Sequence, residues 1–251
     1  MIGLVRNEWK KVFLPVLLTT VLLAIAMGVL SCTIYQNYVL HYDLEAWEVG
    51  TELFSLLYPL FVVVPLCWNL YYERKNNFLL YIMPRVKIKK YLTAKWIAYA
   101  LGTLCIIVIP YILSAVFALY VKPPVVPFVE NPFSHIFENA FIKTPLLYAV
   151  ALSLWRDIVS LFVMTFGFVL ALYCKNIFVI LTGPFMYSIL ENFVLAILCL
   201  ERLRLVVAFD PTTVNPEVVS IFSFFFGPIV LSIVIGLTAF LLSKKNAIVT
   251  I

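Results

Sequence analysis

The sequence ERKNNFLLYIMPRVKIKKYLTAK, residues 73–95, decides how this chain is organised. It carries seven basic residues and the single acid Glu73, and it lies between two long apolar segments. The whole chain has 18 lysines and arginines, so this one connection holds more than a third of them. Because basic residues of membrane proteins gather on the cytoplasmic side, the stretch predicts how the chain is oriented in a membrane.

The composition requires lipid as the solvent for most of the chain. Hydrophobic residues make up 64% of the 251 residues and charged residues only 12%. Soluble domains carry about 25% charged residues, and a chain of this length could not bury so much apolar surface in water. We therefore expect an all-α integral membrane protein. No acidic or basic tail suggests nucleic-acid binding.

Six apolar segments are long enough to cross a hydrocarbon core of about 30 Å as helices. The first is too long for the apolar region of a signal peptide, about 7–15 residues, so we expect it to be retained after an interfacial helix over residues 1–11. Together the six form a single transmembrane domain over residues 1–251. The predicted spans are residues 12–34, 51–72, 96–120, 155–174, 177–200 and 218–242.

The distribution of charge predicts that both termini face the cytoplasm. In that orientation 13 lysines and arginines lie on the cytoplasmic side and five on the outer side. Only Glu8 and Glu73 among the acids then lie inside. The opposite orientation would violate the positive-inside rule in every short loop.

Sequence motifs for catalysis or metal binding are absent. The chain has no GxxxxGK[ST] phosphate loop and no HExxH or GxSxG sequence. Its five cysteines are scattered singly, which disfavours a disulfide framework or a zinc site. His41 and His135 lie in separate outer segments, and we expect both to be ordinary solvated side chains. The chain is thus predicted to be no enzyme and to hold no cofactor or metal itself.

Glu191 is the one carboxylate clearly inside a predicted span, about 21 Å from its cytoplasmic edge. An acid at such a depth is costly, so it normally faces a cavity, a partner or water. Two interpretations stay open: a residue of a transport pathway, or a side chain that reaches the outer interface or bonds Asn192 or Tyr187. Arg156 and Asp157 are expected to be anchors at the outer interface.

An apolar run inside the basic stretch predicts a short helix on the membrane face. The run lies between Asn76 and Ile82 and is followed by Pro84. Basic residues alone would be attracted to anionic lipid headgroups, which is the simpler explanation of the charge. The apolar run adds side chains that a soluble partner could bury.

These marks resemble a known family. A span that ends in Glu73, then a short helix, Pro84-Arg85 and Lys95 before the next span, resembles the connection between spans two and three of ABC-2 type permeases. The N-terminal sequence RNEWKK, residues 6–11, is similar to that family's interfacial helix. Small six-span permeases of bacteriocin and lantibiotic immunity or peptide export look closest. One departure is the large outer segment 121–154, since the family usually places its outer helices between spans five and six.

The resemblance implies a permease subunit of an ATP-driven exporter in the bacterial plasma membrane. A cytoplasmic coupling helix would dock into a separate ABC ATPase subunit that holds ATP and Mg. Two permease chains, alike or different, would form a pathway for a peptide, lipid-like or antimicrobial substrate. The alternative is a non-transport membrane sensor or assembly protein that docks a partner on the basic loop. The residues assigned to ATPase coupling are Glu73, Asn76, Asn77, Phe78, Leu79, Pro84 and Arg85.

Overall fold

The computed structural model describes residues 1–82, 84, 86–125 and 135–245, and within these residues every regular element is a helix. Six of the helices, α1, α2, α4, α6, α7 and α9, are long and apolar enough to cross a membrane, so the chain is an all-α multi-pass membrane protein. In chain order the helices are α1 (Ile2–Thr33), α2 (Glu45–Lys75), α3 (Phe78–Ile82), α4 (Ile88–Tyr120), α5 (Glu138–Lys143), α6 (Pro145–Tyr173), α7 (Ile177–Ile197), α8 (Leu205–Phe209) and α9 (Ile221–Lys245).

Four of the long helices, α1, α2, α4 and α6, begin earlier than the predicted spans. Helix α1 starts at Ile2, so the residues expected to form a separate interfacial helix continue into the first long helix without a break. Helix α6 starts at Pro145 rather than near Trp155. A proline in the first turn is already set for helix and lacks only an N–H that has no partner there. A helix of 29 residues is about 43 Å long, which exceeds the hydrocarbon core and requires tilt or extension beyond it.

Helices α1, α2, α4 and α6 form the packed centre of the bundle. Helix α1 packs along α4, and α2 packs against α1, α6 and α7. Gly50 permits a close approach of α1 to α2, because a Cβ there would lie 2.5 Å from the Cα of Ser31. Helices α7 and α9 lie at the outside, with only 17% of their apolar windows buried. Their exposed faces are left for lipid or another chain.

The bundle has two structurally different ends. At one end α3 connects α2 to α4, and we call this the α3 end. At the opposite end lie α5, α8 and the connections around them, and we call this the far end. Because α2 runs from Glu45 at the far end to Lys75 at the α3 end, it reaches both groups of charged side chains described below.

Candidate functional site

Four charged side chains from α1, α2 and α4 meet at the α3 end, and we call them the four-charge cluster. Lys95 Nζ lies 3.0 Å from Glu8 Oε2 and also contacts Glu73 Oε2. Lys11 Nζ lies 2.6 Å from Glu8 Oε1 and 2.9 Å from Glu73 Oε1. The hydroxyl of Tyr91 donates to Glu73 Oε2 at 2.8 Å. Two positive and two negative charges therefore balance, and the side chain of Lys95 is fully buried among them.

The sequence positions explain how this cluster forms. Glu8 and Lys11 are three residues apart on α1 and so share one face of that helix. Glu73 lies in the last turn of α2, and Lys95 lies two turns into α4. The sequence predicted Glu73 and Lys95 as marks of one connection but not their pairing with Glu8 and Lys11. The signal for this pairing in the sequence was that all four charges lie at the edges of apolar segments, where charged side chains normally need partners.

Helix α3 lies where the sequence predicted a short helix, and much of its apolar surface is exposed. Phe78 is 41% exposed, Leu80 51% and Tyr81 74%, whereas Leu79 is half-buried. The ring of Phe78 lies 5.1 Å from Lys11 Nζ, so α3 contacts the four-charge cluster through a cation–π interaction. Helix α3 therefore exposes aromatic and aliphatic side chains, and it contacts the ion pairs of the four-charge cluster through Phe78.

The remaining residues assigned to coupling lie around this helix. Asn76 and Asn77 are exposed and form the connection from α2 to α3. Asn77 has a φ of 54°, in the left-handed region that asparagine tolerates better than most residues with a side chain. Pro84 is exposed in the turn after α3, and Arg85 lies outside the described residues. Asn76 and Asn77 therefore separate α2 from α3.

A second contact attaches α6 to the α3 end. The guanidinium group of Arg74 donates a hydrogen bond to the carbonyl oxygen of Cys174, just after α6 ends. Burial raises the pKa of the Cys174 thiol above its ordinary value, and the nearby Arg74 charge offsets only part of that rise. The thiol therefore stays protonated at neutral pH, and the contact depends on the backbone. It makes α6 part of the same braced end as α1, α2 and α4.

The far end contains a buried ion pair that corrects the prediction for Arg156. Its side chain is fully buried rather than at the outer interface, and Nη2 lies 2.8 Å from Oδ2 of Asp210, also fully buried. The alignment of this pair falls short of a hydrogen bond. The guanidinium carbon lies 4.8 Å from the ring centroid of Trp47 and 4.3 Å from that of Tyr111. Ionic and aromatic contacts together replace the water that Arg156 loses.

His135 is not the solvated side chain that the sequence predicted. Its Nε2 lies 2.9 Å from Glu45 Oε1, and its ring stacks on Phe141 with centroids 3.9 Å apart. The other carboxylate oxygen of Glu45 accepts the backbone N–H groups of His41 and Tyr42. His135 and Glu45 therefore attach the segment before α5 to the start of α2. Sequence reasoning missed this pair because the two residues are 90 positions apart.

Glu191 makes a contact that neither interpretation of the sequence anticipated. Both of its carboxylate oxygens lie 3.0 Å from the backbone nitrogen of Leu205 and accept its N–H. Leu205 is the first residue of α8, so this carboxylate joins α7 to the start of that short helix. The role of Glu191 in a transport pathway stays a prediction.

The described residues contain no metal site, because no group of three or more His, Cys, Asp or Glu side chains among them could hold an ion. Comparison with known proteins gives no significant match to a family model, a curated protein or a solved structure. The resemblance to ABC-2 type permeases therefore rests on the motifs of residues 1–11 and 73–95.

Proposed function

We propose that the chain is the permease subunit of an ATP-driven exporter and that α3 receives a cytoplasmic ATPase subunit. The observation that carries this proposal is the exposed apolar surface of α3 on its base of buried ion pairs. The partner would hold ATP and Mg, since the sequence has no phosphate loop. The chain itself would carry no enzymatic activity.

The mixture of side chains at the α3 end favours a protein partner over lipid attraction alone. A surface that only attracts anionic headgroups needs basic residues, such as the exposed Lys89 and Lys90 at the start of α4. Protein interfaces instead bury aromatic anchors at their centre and keep charges at the rim. The exposed rings of Phe78 and Tyr81, at the same end as these lysines, match that second arrangement.

The contacts of α3 give a route by which a docked ATPase would move the long helices. Phe78 lies over Lys11, and Lys11 binds acids on both α1 and α2. Lys95 binds the same two acids from α4. A displacement of α3 would therefore act on three membrane-spanning helices together, and such a displacement is what alternating access or lateral extrusion requires.

The remaining parts of the proposal follow from charge asymmetry and resemblance. The α3 end and both termini would face the cytoplasm, in a bacterial plasma membrane. A second permease chain, identical or different, would pack on the exposed faces of α7 or α9, with membrane lipids around the pair. Peptides, lipid-like molecules or antimicrobial compounds would be the exported substrates.

The test is purification of the tagged chain from its native membrane, followed by measurement of co-purified ATPase and of ATP hydrolysis. Truncation of a buried interface anchor typically costs about 2 kcal/mol or more, so Phe78→Ala should weaken assembly about 30-fold. Phe178→Ala is the matched control, because Phe178 is 73% exposed at the same end but lies on α7. It should leave assembly unchanged.

Two results would contradict the proposal. Recovery of a partner without nucleotide hydrolysis would favour the sensor or assembly protein instead. The second result is loss of the ATPase when Lys87, Lys89 and Lys90 are replaced with glutamine, while Phe78→Ala retains it fully. That result would show that the α3 end binds its partner by charge alone.

A further inference from the structure

The far end contains a cavity with an apolar and a polar compartment. The apolar compartment has a volume of about 610 Å³ and lies between α6 and the start of α9. The polar compartment has a volume of about 390 Å³ and is lined by Glu48 and the segment after Asp210. Both have His135, Ile136 and Pro216 in their walls, so they adjoin. The aromatic side chains that line the apolar compartment are Phe137, Tyr148, Trp155, Phe224 and Phe225.

Glu48 is the residue of the polar compartment whose carboxyl group lacks a hydrogen-bond partner among the described residues. The side chain is 14% exposed, and its Oε1 is buried with no hydrogen-bond partner among the described residues. The closest basic group on the other oxygen is Nδ1 of His135, 3.7 Å from Oε2, which is too far for a hydrogen bond. A buried carboxylate oxygen without a partner is costly, and a ligand donor would remove that cost.

Carboxyl groups outnumber basic groups around Glu48. The acids are Glu45, Glu48 and Asp210, and the bases are Arg156 and His135. Arg156 already pairs with Asp210, and Nε2 of His135 already contacts Glu45. Three carboxyl groups therefore share two basic groups, and both basic groups already contact an acid other than Glu48. The polar compartment therefore favours a cation over a neutral or anionic group.

Volume and lining define the rest of the ligand. Small-molecule sites are commonly 300–1,000 Å³ in volume and apolar with a few placed polar groups, which describes these two compartments. A lipid tail alone would fill the apolar part and leave Glu48 unpaired. An apolar molecule with one cationic group would satisfy both parts at once.

We propose that this cavity binds an amphiphilic amine. Its ammonium group lies at Glu48 in the polar compartment, and its hydrocarbon chain lies against Trp155 and Phe224 in the apolar compartment. The site belongs to this chain alone and needs neither an ATPase nor a second permease, so it goes beyond the proposed function and does not depend on it.

The experiment is photolabelling of the purified chain in nanodiscs of phosphatidylcholine. The probes are dodecylammonium and dodecanol, each with a diazirine near the chain end, and labelled residues are located by mass spectrometry. We expect dodecylammonium to label Trp155, Phe224 or Phe225 more strongly than dodecanol does. Glu48→Gln should weaken that labelling about tenfold or more, as for the loss of a charged hydrogen-bond acceptor, and should leave dodecanol labelling unchanged.

Two further variants keep the test independent of folding. Glu52→Gln is the matched control, because Glu52 is one turn along α2 and lies outside this cavity, so labelling should be unchanged. Ala151 lines the apolar compartment, and Ala151→Trp should block both probes by filling it. Equal labelling by both probes, or labelling by dodecylammonium that Glu48→Gln does not change, would overturn the proposal and make the cavity a groove for ordinary lipid tails.

Discussion

Replacement of Lys95 by methionine tests how firmly the α3 end is held together. Lys95 is fully buried and binds Glu8 and Glu73, whose side chains are at most 10% exposed. Methionine keeps most of the volume of lysine and removes the charge. The four-charge cluster would then carry two acids with Lys11 as their single basic partner.

The size of the effect follows from burial. Removal of one partner from a buried ion pair costs about 3–5 kcal/mol, because it leaves a charge without compensation. Lys11 still contacts both acids in the variant, so we expect a loss of about 3 kcal/mol in the free energy of unfolding. The double variant Lys95→Met with Glu73→Gln restores a neutral cluster. It should be more stable than Lys95→Met by roughly 1–2 kcal/mol.

The assay is equilibrium unfolding in detergent micelles, with the free energy measured for each single variant and for the pair. Lys90→Met is the control, since Lys90 is exposed on the same helix and should change stability by no more than about 0.5 kcal/mol. A loss for Lys95→Met no larger than that of the control would show that the cluster does not brace the helices. A double variant less stable than both single variants would show that charge balance is not the cause.

Three further predictions address the far end, the α7–α8 contact and the orientation. Arg156→Met and Asp210→Asn should each lower the free energy of unfolding by about 3–5 kcal/mol. The double variant should lose less than the sum of the two single losses, and losses that simply add would refute the ion pair. Glu191→Gln keeps an acceptor for the N–H at the start of α8, so abundance should stay normal while transport changes; wild-type transport would restrict Glu191 to a structural contact. In a background without native cysteines, Lys87→Cys should react with a thiol reagent only from the cytoplasmic side, and Val39→Cys should react only from the outside. Labelling of position 87 from the outside of intact cells would show that the topology is the opposite one.

The six long helices could be predicted because hydropathy is a local property. An uncharged apolar segment of about 20 residues needs no knowledge of its neighbours to be recognised. The short helix α3 was also accessible, because its apolar run lies between the turn-forming Asn76–Asn77 and Pro84. Pairings of acids and bases could not be predicted, since Glu8 and Lys95 are 87 positions apart. Such pairs depend on which helices become neighbours.

The prediction for Arg156 failed for an identifiable reason. With the helix started near Trp155, Arg156 and Asp157 lay at a membrane edge and were both expected to be interfacial anchors. The helix begins at Pro145, which places Arg156 several turns inside it and beside Trp47. Its actual acid, Asp210, follows α8 in a segment that looked like an ordinary outer loop. The apolar residues directly after Pro145 were the signal in the sequence that the helix begins at that proline.

Helix α2 connects the two ends of the molecule. Its first turn carries Glu48 at the cavity, and its last carries Glu73 in the four-charge cluster, so about 40 Å of helix separates the two acids. Pro59 and Pro65 lie between them inside the helix, and a proline removes a backbone hydrogen bond and permits a bend. A displacement at α3 would therefore reach the far-end cavity only to the extent that packing against α1, α6 and α7 keeps α2 straight. Stiffness at these two prolines thus determines how strongly the docking surface and the cavity can influence each other.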